Sequence, residues 1–172
     1  FTPPHQDNYA QDWLQQLALH EFRHVVQVDK IHSQLPEILK GLFGEQLSAL
    51  VTGAYLPFWF IEGDAVISET ALSHFGRGRL PSFLMEHKAQ VVEKGVFSYD
   101  KAYNGSFKDF VPDHYKLGYH LAGEIRARYG SGIWNYTLNL LSRNPFSINP
   151  VNRILRDYSG LNQEVLYRSV FD

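Results

Sequence analysis

The stretch "ALHEFRHVVQVD" sets His20, Glu21 and His24 inside an otherwise apolar run. In the spacing H-E-x-x-H, two histidines four residues apart leave one face of a helix about a turn from each other. Two imidazole nitrogens can then reach a single Zn²⁺ ion. The glutamate after the first histidine stands beside them, where a carboxylate can take a proton from a metal-bound water. On a helical wheel His20, Glu21 and His24 share a sector with Trp13, Leu17, Val28 and Ile31, so this face is expected to be buried. Gln16, Arg23, Gln27 and Lys30 fall in another sector and are expected to face water. Buried polar groups are costly unless something compensates them. A metal ion would do so; a core histidine pair satisfied by carboxylates is the alternative. With 8 histidines in 172 residues, shuffling yields only about 0.02 such tetrads, so the spacing carries information.

A catalytic zinc keeps three protein ligands and one open position. The best third ligand lies in "PFWFIEGDAVISET", where Glu62 follows Phe58, Trp59, Phe60 and Ile61. A carboxylate after four large apolar residues has a reason to be there beyond solvation. An ordinary helix N-terminal carboxylate is the alternative when Glu62 is taken alone.

Together, "HEFRH" and "WFIEGDA" resemble the gluzincin metallopeptidases, a group that includes thermolysin-like enzymes and zinc aminopeptidases. The resemblance implies a peptidase-like catalytic segment with His20, His24 and Glu62 on zinc and Glu21 as the general base that hydrolyses peptide bonds through a zinc-bound water. It also implies that Glu69, two turns beyond Glu62, supports a ligand imidazole, as in aminopeptidase-like members. Thermolysin-like members place that acid four residues after the ligand, where this chain has Val66. The phrase "HYKLGYHLAGEIRARYG" resembles the Y-x-x-G helix of the same clan, which assigns oxyanion stabilisation to Tyr115, with Tyr119 and His114 as the other candidates. Full gluzincins carry a β-sheet ahead of the first histidine helix. Only 19 residues precede His20, and they read as helix, so the sheet is absent or lies elsewhere in a parent protein. An isolated piece is then expected to bind zinc and cleave poorly. The wider run also resembles a peptidase-like segment of large bacterial envelope proteins that continue into a β-propeller, which implies a periplasmic, envelope or secreted location.

These residues must be positioned by helices. One is expected from a cap at Asp7 or Asn8 to about His32, then "PEILKGLF" and, restarting at Gly44, "GEQLSALV". Pro57 opens "FWFIEGDAVISETALSHF", and Gly76 and Gly78 break it. Further helices are expected in "SFLMEHKAQVVEK", "DHYKLGYHLAGEIRARYG", "SGIWNYTLNLLSRN", "NPVNRILRDYSG" and "LNQEVLYRSVF", with residues 95–112 irregular. Strand alternation is nearly absent, so the expected class is mostly α, a single zincin-like helical domain over residues 1–172.

The bulk numbers agree with a folded domain: 44% hydrophobic and 15% aromatic residues at a net charge of −2. That charge argues against nucleic acid as a partner, and a peptide or protein substrate is expected instead. No cysteine is present, which excludes disulfides and thiolate metal sites. No apolar run reaches the length of a membrane span. Because Phe1 is not an initiator methionine, a piece of a longer chain is expected. Arg77 and Arg79 in "FGRGRLP" could receive a substrate carboxylate, although a solvated basic loop is the favoured reading. His5, His32, His74, His87 and His120 are read as surface or packing residues. Lys88, Lys94, Glu86 and Glu93 are read as an exposed helix face. The competing functional reading is a non-catalytic binding or assembly module, and a helical domain without metal is the third.

Overall fold

The computed structural model describes residues 13–74, 76–143 and 149–171. Among them are nine α-helices and no strand: α1 (Trp13–Gln34), α2 (Glu37–Tyr55), α3 (Phe58–Leu72), α4 (Pro81–Lys94), α5 (Tyr99–Asn104), α6 (His114–Tyr129), α7 (Gly132–Arg143), α8 (Pro150–Ser159) and α9 (Gln163–Phe171). A single 3-10 turn, Arg77–Arg79, follows α3. The expected caps Asp7 and Asn8, and His5, lie outside the described residues.

Local chemistry accounts for most boundaries. Gly44 has φ 58° and ψ −152°, which breaks α2 where the sequence restarts. Pro57, extended, ends the approach to α3, and no single helix among the described residues is long and apolar enough to cross a membrane. The Asp113 side chain accepts hydrogen bonds from the backbone N–H groups of Tyr115 and Lys116, starting α6, and Gly130 closes it. One expectation fails: residues 95–112 are not wholly irregular, because Ser98 caps the short α5. The sequence of α5, "YDKAYN", is too short to show a period. It is held by tertiary contacts instead, with Ala102 in the core and the Tyr99 hydroxyl accepting a 2.9 Å hydrogen bond from the Trp59 indole.

Helix α3 runs through the centre. Trp59, Phe60, Ile61, Ala65 and Val66 are all buried, as are Asp64 and Glu69, and every residue over 59–70 is buried or half-buried. Phe60 stacks on Trp134 of α7 at 4.3 Å between ring centroids, and α7 continues the core through Ile133, Leu138 and Leu141 to Leu155 of α8 and Leu166 of α9. The closest partner of α3 is α6, and glycine decides the approach. A Cβ on Gly118 would overlap the carbonyl oxygen of Trp59 and come within 2.8 Å of the Gly63 Cα; one on Gly63 would overlap the Gly118 backbone. Glu62 precedes Gly63 by one residue and Tyr115 precedes Gly118 by three, so the crossing sets the separation of those two side chains. Neither clash can be relieved by a rotamer change, because the atoms met are backbone. Gly118→Ala is therefore expected to cost at least about 1–3 kcal/mol, read as a lower urea midpoint with an unchanged m-value.

Two residues along α6 from Gly118, His120 and the buried His87 of α4 meet edge to face at 5.2 Å, and Phe171 of α9 stacks on His87 at 4.4 Å. Of the surface or packing roles expected for these histidines, both take packing, and Glu86, Lys88, Glu93 and Lys94 are exposed on α4. Burial, with His120 and Lys116 nearby, pulls the His87 imidazole down to about 4, against a small opposing effect of Asp113. The unfolded chain, with a histidine near 6.5, takes up the proton first. Stability from this site is thus complete above pH 6.5 and lost as the pH falls toward about 4. The thermal midpoint is expected to drop across that window, and His87→Leu to flatten the dependence.

Candidate metal centre

Helices α1 and α3 bring the three expected ligands together. The Nε2 of His20 lies 3.0 Å from Oε2 of Glu62, the Nε2 of His24 lies 3.3 Å from the same oxygen, and the two Nε2 atoms are 3.2 Å apart. His20 is buried, and His24 and Glu62 are half-buried. Among the described residues, no other group of three such side chains comes close enough to hold an ion. Ligand atoms about 2.0–2.1 Å from a tetrahedral zinc sit roughly 3.3 Å from one another, so this triangle has the right edge length.

The protons around the triangle strengthen that fit. His20 Nδ1 stands 3.1 Å from Oε2 of Glu69 and 2.8 Å from Nη2 of Arg77, and could donate to the first or accept from the second. A cation on Nε2 requires the lone pair there and so selects the Nδ1–H form, which donates to Glu69. His24 Nδ1 faces Oε1 of Gln27 at 3.0 Å, again as donor. With those tautomers two lone pairs and a carboxylate oxygen point at one small volume, which a cation could occupy. In its absence protons serve. Burial opposes charge on both imidazoles, but hydrogen bonds to Glu62, and for His20 also to Glu69, overcome it and hold both above the ordinary histidine range. Burial likewise opposes ionisation of Glu62, yet the two imidazoles bring its carboxyl down to about 2.

Glu69 is fully buried and surrounded by donors. Arg77 reaches it through Nε at 2.7 Å and Nη2 at 2.9 Å, and Gln16 donates through its amide at 3.2 Å. Burial pushes the Glu69 carboxyl up, and His20 and Arg77 more than offset this. The sequence left Arg77 as a solvated loop or a receptor for substrate. It is neither, because its guanidinium is engaged with Glu69 and lies 5.0 Å from the Tyr115 ring centroid. Arg79 is exposed and donates to the Thr70 carbonyl.

Tyr115 meets the site from α6, its ring 5.9 Å from that of His20. Burial, then the charge of Glu62, raises its phenol above the usual range. Of the other two oxyanion candidates, Tyr119 directs its hydroxyl to the Gly78 carbonyl, and His114 packs between Tyr115 and Phe58. Glu21 is exposed and lines, with His24, Val25 and Val28, an open cavity of about 440 Å³. Val66 is buried core.

The wheel of α1 needs correction. His20 and Ile31 are buried as expected, but Glu21 is exposed and Trp13, Leu17 and Val28 are only half-buried. Gln16 and Gln27, expected in water, are buried, and the half-buried Arg23 pairs with Asp64 at 2.6 Å. The buried stripe is rotated because α3 presents acids to α1. Asp64, completely buried, also accepts from Gln27 Nε2 at 2.8 Å and pairs with Arg126 of α6. Nothing in the composition of α1 announced this; the signal available was three acids in an otherwise oily α3.

No family profile matches this chain, and neither the curated proteins nor the solved structures contain a match. The chemistry is therefore argued from the site itself.

Removing the anion at the centre of the α1–α3–α6 contact leaves two guanidinium groups and an amide without their acceptor. Asp64→Ala is expected to cost about 3–5 kcal/mol, the usual range for breaking a buried ion pair from one side, measured by denaturant unfolding of the metal-free protein.

Proposed function

We propose that this chain is a zinc-dependent metallopeptidase segment of the gluzincin type. One observation carries the reading: Nε2 of His20, Nε2 of His24 and Oε2 of Glu62 lie at 3.0–3.3 Å from one another. Those residues would hold the ion. When bound, zinc supplies Lewis acidity toward water and toward a carbonyl oxygen. The remaining steps belong to the chain. Glu21, at the edge of the cavity that it shares with His24, takes a proton from the attacking water and returns it to the leaving amine. The Tyr115 hydroxyl, kept protonated by its raised pKa, donates to the oxyanion as the carbonyl becomes tetrahedral. Glu69 holds His20 in place.

A second reading, a non-catalytic binding or assembly module, is favoured by the outward side of α1. There Leu14, Phe22 and Val25 are each more than half exposed, which suits a covering partner such as another part of a larger envelope protein. The intact Glu21 favours the first reading, since a scaffold has no use for a base beside a metal.

Two measurements separate these readings. Elemental analysis of protein purified without chelator should give one zinc per chain, lost in His20→Ala and in Glu62→Ala; equal zinc in both variants and the parent would remove them as ligands. Glu21→Gln should keep the metal and lower cleavage of a quenched-fluorescent peptide library by roughly 10²–10⁴-fold. Zinc without any cleavage by the parent points to the assembly module.

A further inference from the structure

We infer that Gln27 is a positioning residue for the metal centre: its amide holds His24 as the Nδ1–H tautomer and turns the free Nε2 lone pair toward Glu62. The inference rests on the zinc reading above and adds a residue that the H-E-x-x-H…E pattern does not contain.

The orientation of this amide follows from its surroundings. Gln27 is 2% exposed. Its Nε2 has two acceptors of α3 within reach, the Ile61 carbonyl at 3.2 Å and Oδ2 of Asp64 at 2.8 Å. An amide oxygen placed there would face two acceptors in a buried setting, so the NH₂ group must occupy that side and Oε1 the other. Oε1 is then the atom 3.0 Å from His24 Nδ1. An oxygen can only accept, so Nδ1 carries a proton, and in the neutral ring Nε2 carries the lone pair. Asp64 cannot turn away to release the amide, because Arg23 and Arg126 hold its carboxylate from α1 and α6. The tautomer of His24 is thus set by a relay that begins at a buried aspartate of another helix.

The two imidazoles differ in this respect. His20 Nδ1 has both an acceptor, Glu69, and a donor, Arg77, within hydrogen-bond distance, so either tautomer of the metal-free ring finds a partner. His24 Nδ1 faces only the Gln27 oxygen, so that side of the ring is satisfied only by a proton on Nδ1. Gln27 also ties His24 to the backbone carbonyl of Ile61, the residue before Glu62, and so fixes the spacing between second and third ligands.

The test uses the whole chain. In the metal-free parent above neutral pH, long-range ¹H–¹⁵N spectra of the histidine rings should show a proton on His24 Nδ1; a bare Nδ1 with the proton on Nε2 overturns the inference without any variant being made. Gln27→Met keeps length and removes both hydrogen-bonding ends. It is expected to shift His24 toward the Nε2–H form and to weaken zinc binding by about 10–100-fold in a chelator-competition titration. A variant that melts earlier but keeps the parent tautomer and zinc affinity overturns the inference, since only packing was then lost. If the parent itself binds no zinc in that titration, the metal reading and this inference fall together. Zinc bound equally by parent and Gln27→Met sinks this inference alone.

Discussion

Three carboxylates on one buried helix organise this protein. Glu62, Asp64 and Glu69 all belong to the 59–70 stretch of α3, which has no exposed position on which to leave a charge. A buried carboxylate must collect donors or be neutralised, and each of the three does so differently. Asp64 collects two arginines and an amide, Glu69 an arginine, an amide and an imidazole, and Glu62 two imidazoles. Only the last set lacks a permanent positive charge. The arginine-bound sites are closed structural units, whereas the Glu62 site depends on species that come and go, protons or a divalent cation.

This distribution explains α1. A helix packed on such a partner cannot bury a purely apolar stripe, and it offers Gln16, His20, Arg23 and Gln27 to the acids before reaching Ile31. Its apolar residues Leu14, Phe22 and Val25 are consequently turned outward.

Much of the fold was legible from the sequence. The Gly44 break, the Pro57 start, the Asp113 cap and the Gly130 stop are local events that a few residues determine, and they fall where expected. Helix α5 was not legible, because six residues held by Trp59 and the core carry no period of their own. At the site, the convergence of His20, His24 and Glu62 matches the spacing argument, and Glu69 and Tyr115 lie beside it. The residues wrongly assigned to water, Gln16, Gln27 and Arg77, share a cause. Hydropathy ranks a glutamine or arginine as a surface residue, and its burial depends on an acid from a helix that is remote in sequence.

The glycine crossing has a mechanical meaning for the centre. With Gly63 against Gly118, α3 and α6 meet backbone to backbone, and the pair carries both the carboxylate ligand and the phenol. Both nitrogen ligands ride on α1, across the seam. An ion captured there would work as a removable rivet between two plates, holding α1 down on α3. Loading of the centre would then register as slowed amide exchange along α1 while the α3–α6 pair stays silent.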